Sequence, residues 1–375
     1  MDDREICPFD RSTTAFNGIG RSESQVKNMV FQVTFQPLGQ RIECLPGETV
    51  LDAALRQGIS LPYSCRDGAC GTCRASLLDG EIEYLQTPSK GLDDSGGAAR
   101  PVLLCCAQAR SDLRLDCPQA SLLTGSPPRT FPARVHRLTR AAPEVMIVEL
   151  KLAAGQGLSF QAGQYVDILL GAGRRRAFSL ANPPRAGELL ELHIRRIAGG
   201  QFTGHVFNGM RERDIVRLRG PLGGFFLREE SSKPALLVAG GTGFAPIKAI
   251  VRHAIDRGSQ RRLHLFWGAR RREELYQRQL AEQWAAEHTN IQFTPVLSDS
   301  PAVEGWPGRR GLVHEAVLAE YADLSGFQAY VCGSPAMIAA ARRDFITRGR
   351  LPEDEFFADA FDFARDAPTA PVDAP

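Results

Sequence analysis

Cys65-Arg66-Asp67-Gly68-Ala69-Cys70-Gly71-Thr72-Cys73 places three cysteines in a C-x4-C-x2-C run with glycines between them. Soft thiolates suit iron in a sulfide cluster, and this spacing binds a two-iron, two-sulfide (2Fe-2S) centre when a fourth cysteine comes from farther along the chain. Cys105 and Cys106 both stand where that fourth ligand could originate. Gly68 and Gly71 let the loop wrap closely and aim backbone N–H groups at sulfur, which raises a cluster's reduction potential. Structural zinc sites favour paired C-x2-C units or a Cys/His mixture, and no histidine lies near this triplet.

Upstream of the run, Phe31, Val33 and Phe35 alternate with polar residues, and a second run through Ile42 follows Gly39, which reads as a hairpin. Thr49 then opens a stretch of helical apolar spacing that stops at Gly58. A strand pair plus a helix predicts a small β-grasp (α+β) domain over 29–124, with 1–28 a flexible extension. The Pro- and Ser-rich joint at 125–130 reads as a linker. Short strand-like runs follow at 133–138, 145–152, 165–170, 189–195 and 214–219, which predicts an antiparallel β-barrel domain over 131–230. From Pro234 apolar strands (235–239, 263–267) alternate with helical segments (247–255, 273–284). That rhythm predicts a doubly wound parallel-sheet α/β domain over 231–364, and 365–375 form a polar tail.

A chain of 375 residues has room for these domains. Its 45 basic and 43 acidic residues leave a formal charge of +2, which argues against a dedicated nucleic-acid binder. No stretch is apolar and long enough to span a bilayer, and no secretory signal opens the sequence, so a cytoplasmic location is expected. In that compartment nine cysteines are thiols or metal ligands rather than disulfides.

The barrel region carries Arg174-Arg175-Arg176-Ala177-Phe178-Ser179 on a strand. A flavin dinucleotide needs a cation against its pyrophosphate, an aromatic face on its ring and a hydrogen bond near the reactive nitrogen; Arg176, Phe178 and Ser179 offer those three. Gly199 and Gly200 open a helical stretch containing Thr203, where backbone N–H groups can bind pyrophosphate. In the last domain Gly240-Gly241-Thr242-Gly243-Phe244-Ala245-Pro246 joins an apolar strand to a helix. Its glycines admit phosphate to the helix N-terminus, and Pro246 fits the first turn. The generic G-x-G-x-x-G fingerprint is absent.

Residues 29–122 resemble plant-type ferredoxins. In that family the last ligand cysteine precedes a Ser-Asp pair by six positions, a register that Cys105 and Ser111-Asp112 keep, so the resemblance implies ligation by Cys65, Cys70, Cys73 and Cys105. Cys7, Cys44, Cys106 and Cys117 then read as ordinary buried thiols. The barrel and sheet motifs resemble the ferredoxin-NADP-reductase-like superfamily, and over about residues 29–363 the chain is similar to NADH-dependent reductases with an N-terminal ferredoxin domain. Among these are the CDP-6-deoxy-delta-3,4-glucoseen reductases and the phenol and methane monooxygenase reductases. The resemblance implies FAD held by Arg176, Gly199, Gly200 and Thr203, with Phe178 and Ser179 facing its ring. It also implies nicotinamide bound at Gly240, Gly241, Thr242, Gly243 and Pro246, with Cys332 and Gly333 of the Cys-Gly-x-Pro-x-Met segment beside it. Phe361 covers the flavin on this reading. Many relatives carry Tyr where this chain has Phe178, so a phenol hydrogen bond is missing.

Nicotinamide gives two electrons as a hydride and a cluster carries one, so a flavin must lie between them. The expectation is an NADH-dependent oxidoreductase, with NADPH disfavoured although Arg270, Arg271 and Arg272 could meet a 2'-phosphate. Hydride transfer occurs near Ser179 and Cys332, and single electrons leave through the cluster to a protein acceptor. That acceptor is a sugar dehydrase or, alternatively, an oxygenase component; a redox sensor without turnover is the reading from another class.

Overall fold

The computed structural model describes residues 29–64, 66, 68, 71–84, 100–122, 128–153, 155–171, 174–184, 189–298 and 306–361. Two expected ligands, Cys65 and Cys70, the expected tails 1–28 and 365–375, and 125–127 of the expected linker lie outside the described residues.

The N-terminal region contains β1 (Phe31–Gln36), β2 (Gln40–Cys44), helix α1 (Val50–Arg56), β3 (Ile59–Ser60), β4 (Arg74–Asp79), β5 (Ile82–Tyr84), β6 (Arg100–Leu103), β7 (Ala107–Ala109), β8 (Leu113–Asp116) and β9 (Ser121–Leu122). β1 and β2 form the expected antiparallel hairpin with Val33 opposite Ile42, while β1 runs parallel to β8. The resulting mixed sheet, in the order β2-β1-β8-β4-β6, buries Val33, Phe35 and Leu115 against Val50, Leu51 and Ala54 of α1. Thr49 fixes the helix start by accepting the Asp52 amide at 3.1 Å, a cap worth about 1 kcal/mol. Gly58, at φ +77°, turns the chain out where the sequence placed its stop. A helix on such a sheet is the β-grasp arrangement.

The middle region contains β10 (Arg129–Ala142), β11 (Val145–Leu152), β12 (Tyr165–Leu169), β13 (Arg175–Ser179), β14 (Leu190–Arg195), helix α2 (Gln201–Asn208) and β15 (Ile215–Leu222). All pairings in its sheet are antiparallel, in the order β13-β12-β15-β10-β11-β14. An antiparallel bridge between Leu180 and Leu192, next to the two edge strands, closes the barrel. Inward positions follow the period of two: Phe131, Ala133 and Val135 on β10 meet Val148, Leu150, Val166 and Leu218. Phe202 and Val206 of α2 plug the same core.

The C-terminal region contains β16 (Ala235–Gly240), α3 (Phe244–Asp256), β17 (Leu263–Ala269), α4 (Arg278–Glu287), β18 (Ile291–Leu297), β19 (Arg309–Arg310), α5 (Val313–Glu320), β20 (Gln328–Gly333), α6 (Pro335–Thr347) and β21 (Phe356–Ala360). Its six strands are parallel, in the order β19-β18-β17-β16-β20-β21. The central strands are continuous apolar runs because both faces are covered. Leu237, Ala239, Trp267 and Cys332 face α3 and α4, whereas Leu236, Val238, Phe266 and Val331 face α5 and α6. The expected helix over 273–284 is shorter than its apolar spacing suggested. A 3-10 turn spans Arg272–Glu274, and α4 starts at Arg278 because Leu275 and Tyr276 turn inward. There Tyr276 Oη meets His193 Nδ1 at 2.7 Å.

The ferredoxin-like region packs directly on the barrel: Tyr165 and Leu222 belong to the same apolar cluster as Val33 and Leu115.

Candidate functional site

Of the four expected cluster ligands, Cys73 and Cys105 lie within the described residues, both buried. Cys105 Sγ stands 3.5 Å from Cys106 Sγ. Hydrogen bonds from Cys106 and Cys73, followed by the Gly68 N–H, hold the Cys105 thiol well below its ordinary range against the opposing pull of burial. Cys105 thus turns its sulfur toward Cys73 and the glycine loop, and these contacts fit an iron ligand. Gly68 and Gly71 have φ of +79° and +73°, the left-handed turns a loop needs to wrap a cluster. Cys117, pushed up to about 11 by burial, is inert by contrast.

On β13 the pleat puts Arg176 and Phe178 on one face and Arg175, Ala177 and Ser179 on the other. Arg175 donates to Asp167 Oδ2 at 2.8 Å, while Arg176 Nη1 donates to the Arg175 carbonyl at 2.8 Å. Phe178 meets Phe202 at 5.7 Å between ring centroids. Gly199 has φ +73° and leads into Gly200, the first residue of an α2 start that carries no side-chain cap. Uncapped N–H groups at a helix start fit a pyrophosphate. Thr203 Oγ1 braces that turn by accepting the Ile197 amide at 3.1 Å.

The turn after β16 lies where the sheet's chain order reverses, between β17 and β20, the usual ligand crevice of such sheets. Gly240, Gly241, Thr242 and Gly243 form its strand end and 3-10 turn, with Pro246 in the first turn of α3, which has no side-chain cap either. A methyl group on Gly243 would meet the Cys332 carbonyl oxygen at 2.2 Å, and one on Gly240 would meet Met337 Sδ at 2.6 Å. Only glycine lets the turn approach β20 so closely. Cys332 is fully buried, and Phe361 N–H donates to the Gly333 carbonyl at 2.8 Å, which brings Phe361 to the same strand end.

One residue that sequence reasoning passed over sits at the centre. Asp359 on β21 accepts from Ser179 at 3.2 Å through Oδ2, with Cys332 Sγ at 4.0 Å from the same oxygen. Its Oδ1 accepts from Ser64 at 2.6 Å, and Ala360 N–H donates to Ser64 Oγ at 2.9 Å. Burial pushes the Asp359 carboxyl up, and burial followed by Asp359 raises Cys332 further, so the thiol stays neutral. The available signal was a lone acid inside the apolar run Phe356–Phe361.

The approach of the cluster loop was also unforeseen. Gly223 N–H donates to Tyr63 Oη at 2.7 Å and Tyr165 Oη donates to the Ser64 carbonyl at 3.1 Å. Gly224 lies against Leu61, where a methyl group would stand 3.3 Å from its carbonyl oxygen. Arg66 pairs with Asp52 of α1 and reaches the buried Asp167 of β12 at 3.9 Å. Ser64, Ser179, Asp359 and Cys332 thus converge from three domains.

Comparison with known proteins agrees with this division. Residues 33–110 match the 2Fe-2S iron-sulfur cluster binding domain, 132–227 the oxidoreductase FAD-binding domain and 237–343 the oxidoreductase NAD-binding domain. The chain is 38% identical over 333 residues to the CDP-6-deoxy-L-threo-D-glycero-4-hexulose-3-dehydrase reductase of Yersinia pseudotuberculosis serotype I (strain IP32953), covering 89% of this chain and 99% of that protein. It is also 38% identical to the reductase component of phenol 2-monooxygenase from Pseudomonas sp. (strain CF600), covering 90% and 96% of the two chains. Among solved structures an Amycolatopsis cytochrome P450 reductase aligns with a TM-score of 0.73 at 36% identity, over 88% of this chain and 98% of that one. Domains of these kinds carry electrons from a nicotinamide through FAD to a 2Fe-2S cluster, and no helix among the described residues is long and apolar enough to cross a membrane. The chain belongs to the family of nicotinamide-dependent flavin and iron–sulfur reductases in which a ferredoxin domain precedes FAD-binding and NAD-binding domains.

Proposed function

We propose that this chain takes hydride from NADH and supplies single electrons to a separate acceptor protein, a sugar 3-dehydrase. The observation that carries the reading is the meeting of Ser179, Cys332 and Asp359 at one buried point, beside the residue that precedes the first cluster cysteine. When bound, the flavin exchanges electrons in pairs with nicotinamide and singly with the cluster. The residues around it bind, orient and exclude water. Arg176 and the uncapped α2 start, with Gly199, Gly200 and Thr203, hold the FAD pyrophosphate, and Phe178 and Phe361 supply aromatic faces. Gly240 to Gly243 and Pro246 receive the nicotinamide dinucleotide, and neutral Cys332 with Gly333 offers an uncharged surface beside its ring. Ser179 orients the reacting edge, and Asp359, its carboxyl pushed up by burial, accepts from that hydroxyl and fixes its direction. Cys65, Cys70, Cys73 and Cys105 hold the cluster.

Preference for NADH rests on the charges after β17. Glu274 lies 3.5 Å from Arg270, and Glu273 lies 4.0 Å from Arg271, so carboxylates stand where a 2'-phosphate would need uncompensated cations. The dehydrase reading rests on similarity to the hexulose-3-dehydrase reductase. A second reading, supply of an oxygenase, rests on equal identity to the phenol 2-monooxygenase reductase component and on likeness to the cytochrome P450 reductase. The test is NADH and NADPH oxidation by the purified holoprotein with each purified acceptor. The proposal expects a higher kcat/KM for NADH and a rate that rises with the dehydrase; stimulation by an oxygenase component alone selects the second reading, and turnover with neither overturns both.

A further inference from the structure

Ser64 is the covalent neighbour of Cys65, yet among the described residues every polar contact of its hydroxyl leaves the ferredoxin domain. The hydroxyl donates to Asp359 Oδ1 at 2.6 Å, lies 3.2 Å from the Ala360 carbonyl and accepts the Ala360 amide at 2.9 Å. Its carbonyl accepts from Tyr165 of the barrel at 3.1 Å. The residue before it, Tyr63, accepts the Gly223 amide at 2.7 Å and meets the Tyr165 ring edge-on at 6.3 Å. Ser64, Tyr63, Tyr165 and Asp359 are each no more than 5% exposed, so these bonds lie away from competing water. A solvent-exposed serine in a cluster loop would need none of them.

We propose that Ser64 is a positioning residue that clasps the cluster loop to the terminal strand and thereby sets the step from flavin to cluster. The inference rests on the nicotinamide-to-cluster reading above. The path it describes runs from Cys65 through one peptide unit to Ser64, then by hydrogen bond to Asp359, whose other oxygen takes the Ser179 hydroxyl at 3.2 Å. One hydride brings two electrons and a proton to the flavin. The electrons leave one at a time through the cluster, which returns to its oxidised state each time the acceptor protein takes one, and the proton goes to solvent. Hydride arrival depends on the β16 turn and Cys332, on the far side of Asp359 from Ser64. The second step crosses a domain boundary at Ser64, so loss of the clasp loosens the loop against the strand and affects that step more than the first. Tight placement matters because a small misalignment of reacting groups carries a large cost in rate.

Two measurements on full-chain holoprotein test this. Stopped-flow with NADH resolves flavin bleaching from cluster bleaching, and for Ser64→Ala the ratio of cluster to flavin rate constants is expected to fall about ten-fold, with Ser64→Thr restoring most of it. Hydrogen exchange supplies a readout independent of turnover: the Ala360 amide loses its acceptor in Ser64→Ala and should exchange faster, while its neighbours on β21 keep their sheet bonds. An unchanged rate ratio with unchanged Ala360 exchange overturns the clasp. A ratio preserved because both rates fall together also overturns it, since that is a general loss of folding. If cluster bleaching is missing from the wild-type protein, the functional reading fails instead.

Discussion

A carboxyl group that is 5% exposed and partnered by two hydroxyls and a thiol rather than by a cation is costly to ionise, and Asp359 is such a group. Its raised pKa has a direct consequence for stability. Above the ordinary Asp value the unfolded chain ionises while the folded chain resists, so this side chain favours the folded state least once pH has risen past its folded pKa. Asp359→Asn removes the ionisation. The variant is expected to melt higher than wild type at neutral pH, with the gap closing as pH falls below the ordinary Asp range, and to reduce its flavin with NADH about 10²-fold more slowly. Differential scanning fluorimetry across pH, paired with stopped-flow, checks both; a melting gap that ignores pH would show that burial is not what perturbs the group. At this scale the sequence offered candidates wherever chemistry is written in local spacing, as in the cysteine run and in Arg176, Phe178 and Ser179. Asp359 escaped because its partner Ser64 lies 295 positions away, and neither residue belongs to a spaced motif.

Among the elements, β14 and α3 are joined by a buried polar knot. Lys248 of α3 reaches Glu191 Oε1 of β14 at 2.5 Å, and His193 Nε2 meets the same oxygen at 2.6 Å. Burial alone would raise Glu191, but His193 and Lys248 outweigh it and hold the carboxyl down at about 2. Burial, aided by Lys248, lowers His193 despite Glu191, so its ring stays neutral. Both groups lose stabilisation on acidification: His193 as pH falls below the ordinary His value near 6.5, Glu191 as it falls from about 4.5 toward 2. Lys248→Met strands Glu191 and is expected to cost about 3 kcal/mol, seen as a lower urea midpoint at pH 7. A midpoint that does not move would show that the pair contributes nothing to holding the NAD-binding domain on the barrel. This knot also explains the shortened α4. Apolar spacing carried the helix back to Glu273, but Tyr276 is drawn inward by His193, a contact between domains that no window of sequence contains. The strands of the parallel sheet were easier to read, because a strand covered on both faces must be apolar at every position.

For the whole molecule, three domains meet on a few buried side chains, and their order along the chain is the reverse of the order in which electrons pass through them. The cluster domain comes first in sequence yet last in electron flow, and the closed geometry rests on Tyr63 and Ser64 reaching both other domains. Domain types were legible from periodicity and motif; how they sit on one another was not, since each contact pairs residues that look ordinary where they stand. A single wire from nicotinamide through flavin to cluster lies within one polypeptide. Anaerobic titration of the purified chain with NADH tests it most directly, with flavin and iron assayed beforehand. About one flavin and two irons per chain are expected, with bleaching of the flavin band and an electron paramagnetic resonance signal of a reduced 2Fe-2S centre, that signal being lost in Cys73→Ser while flavin bleaching persists. A chain that binds both groups yet reduces only its flavin, with the cluster untouched by NADH, would contradict it.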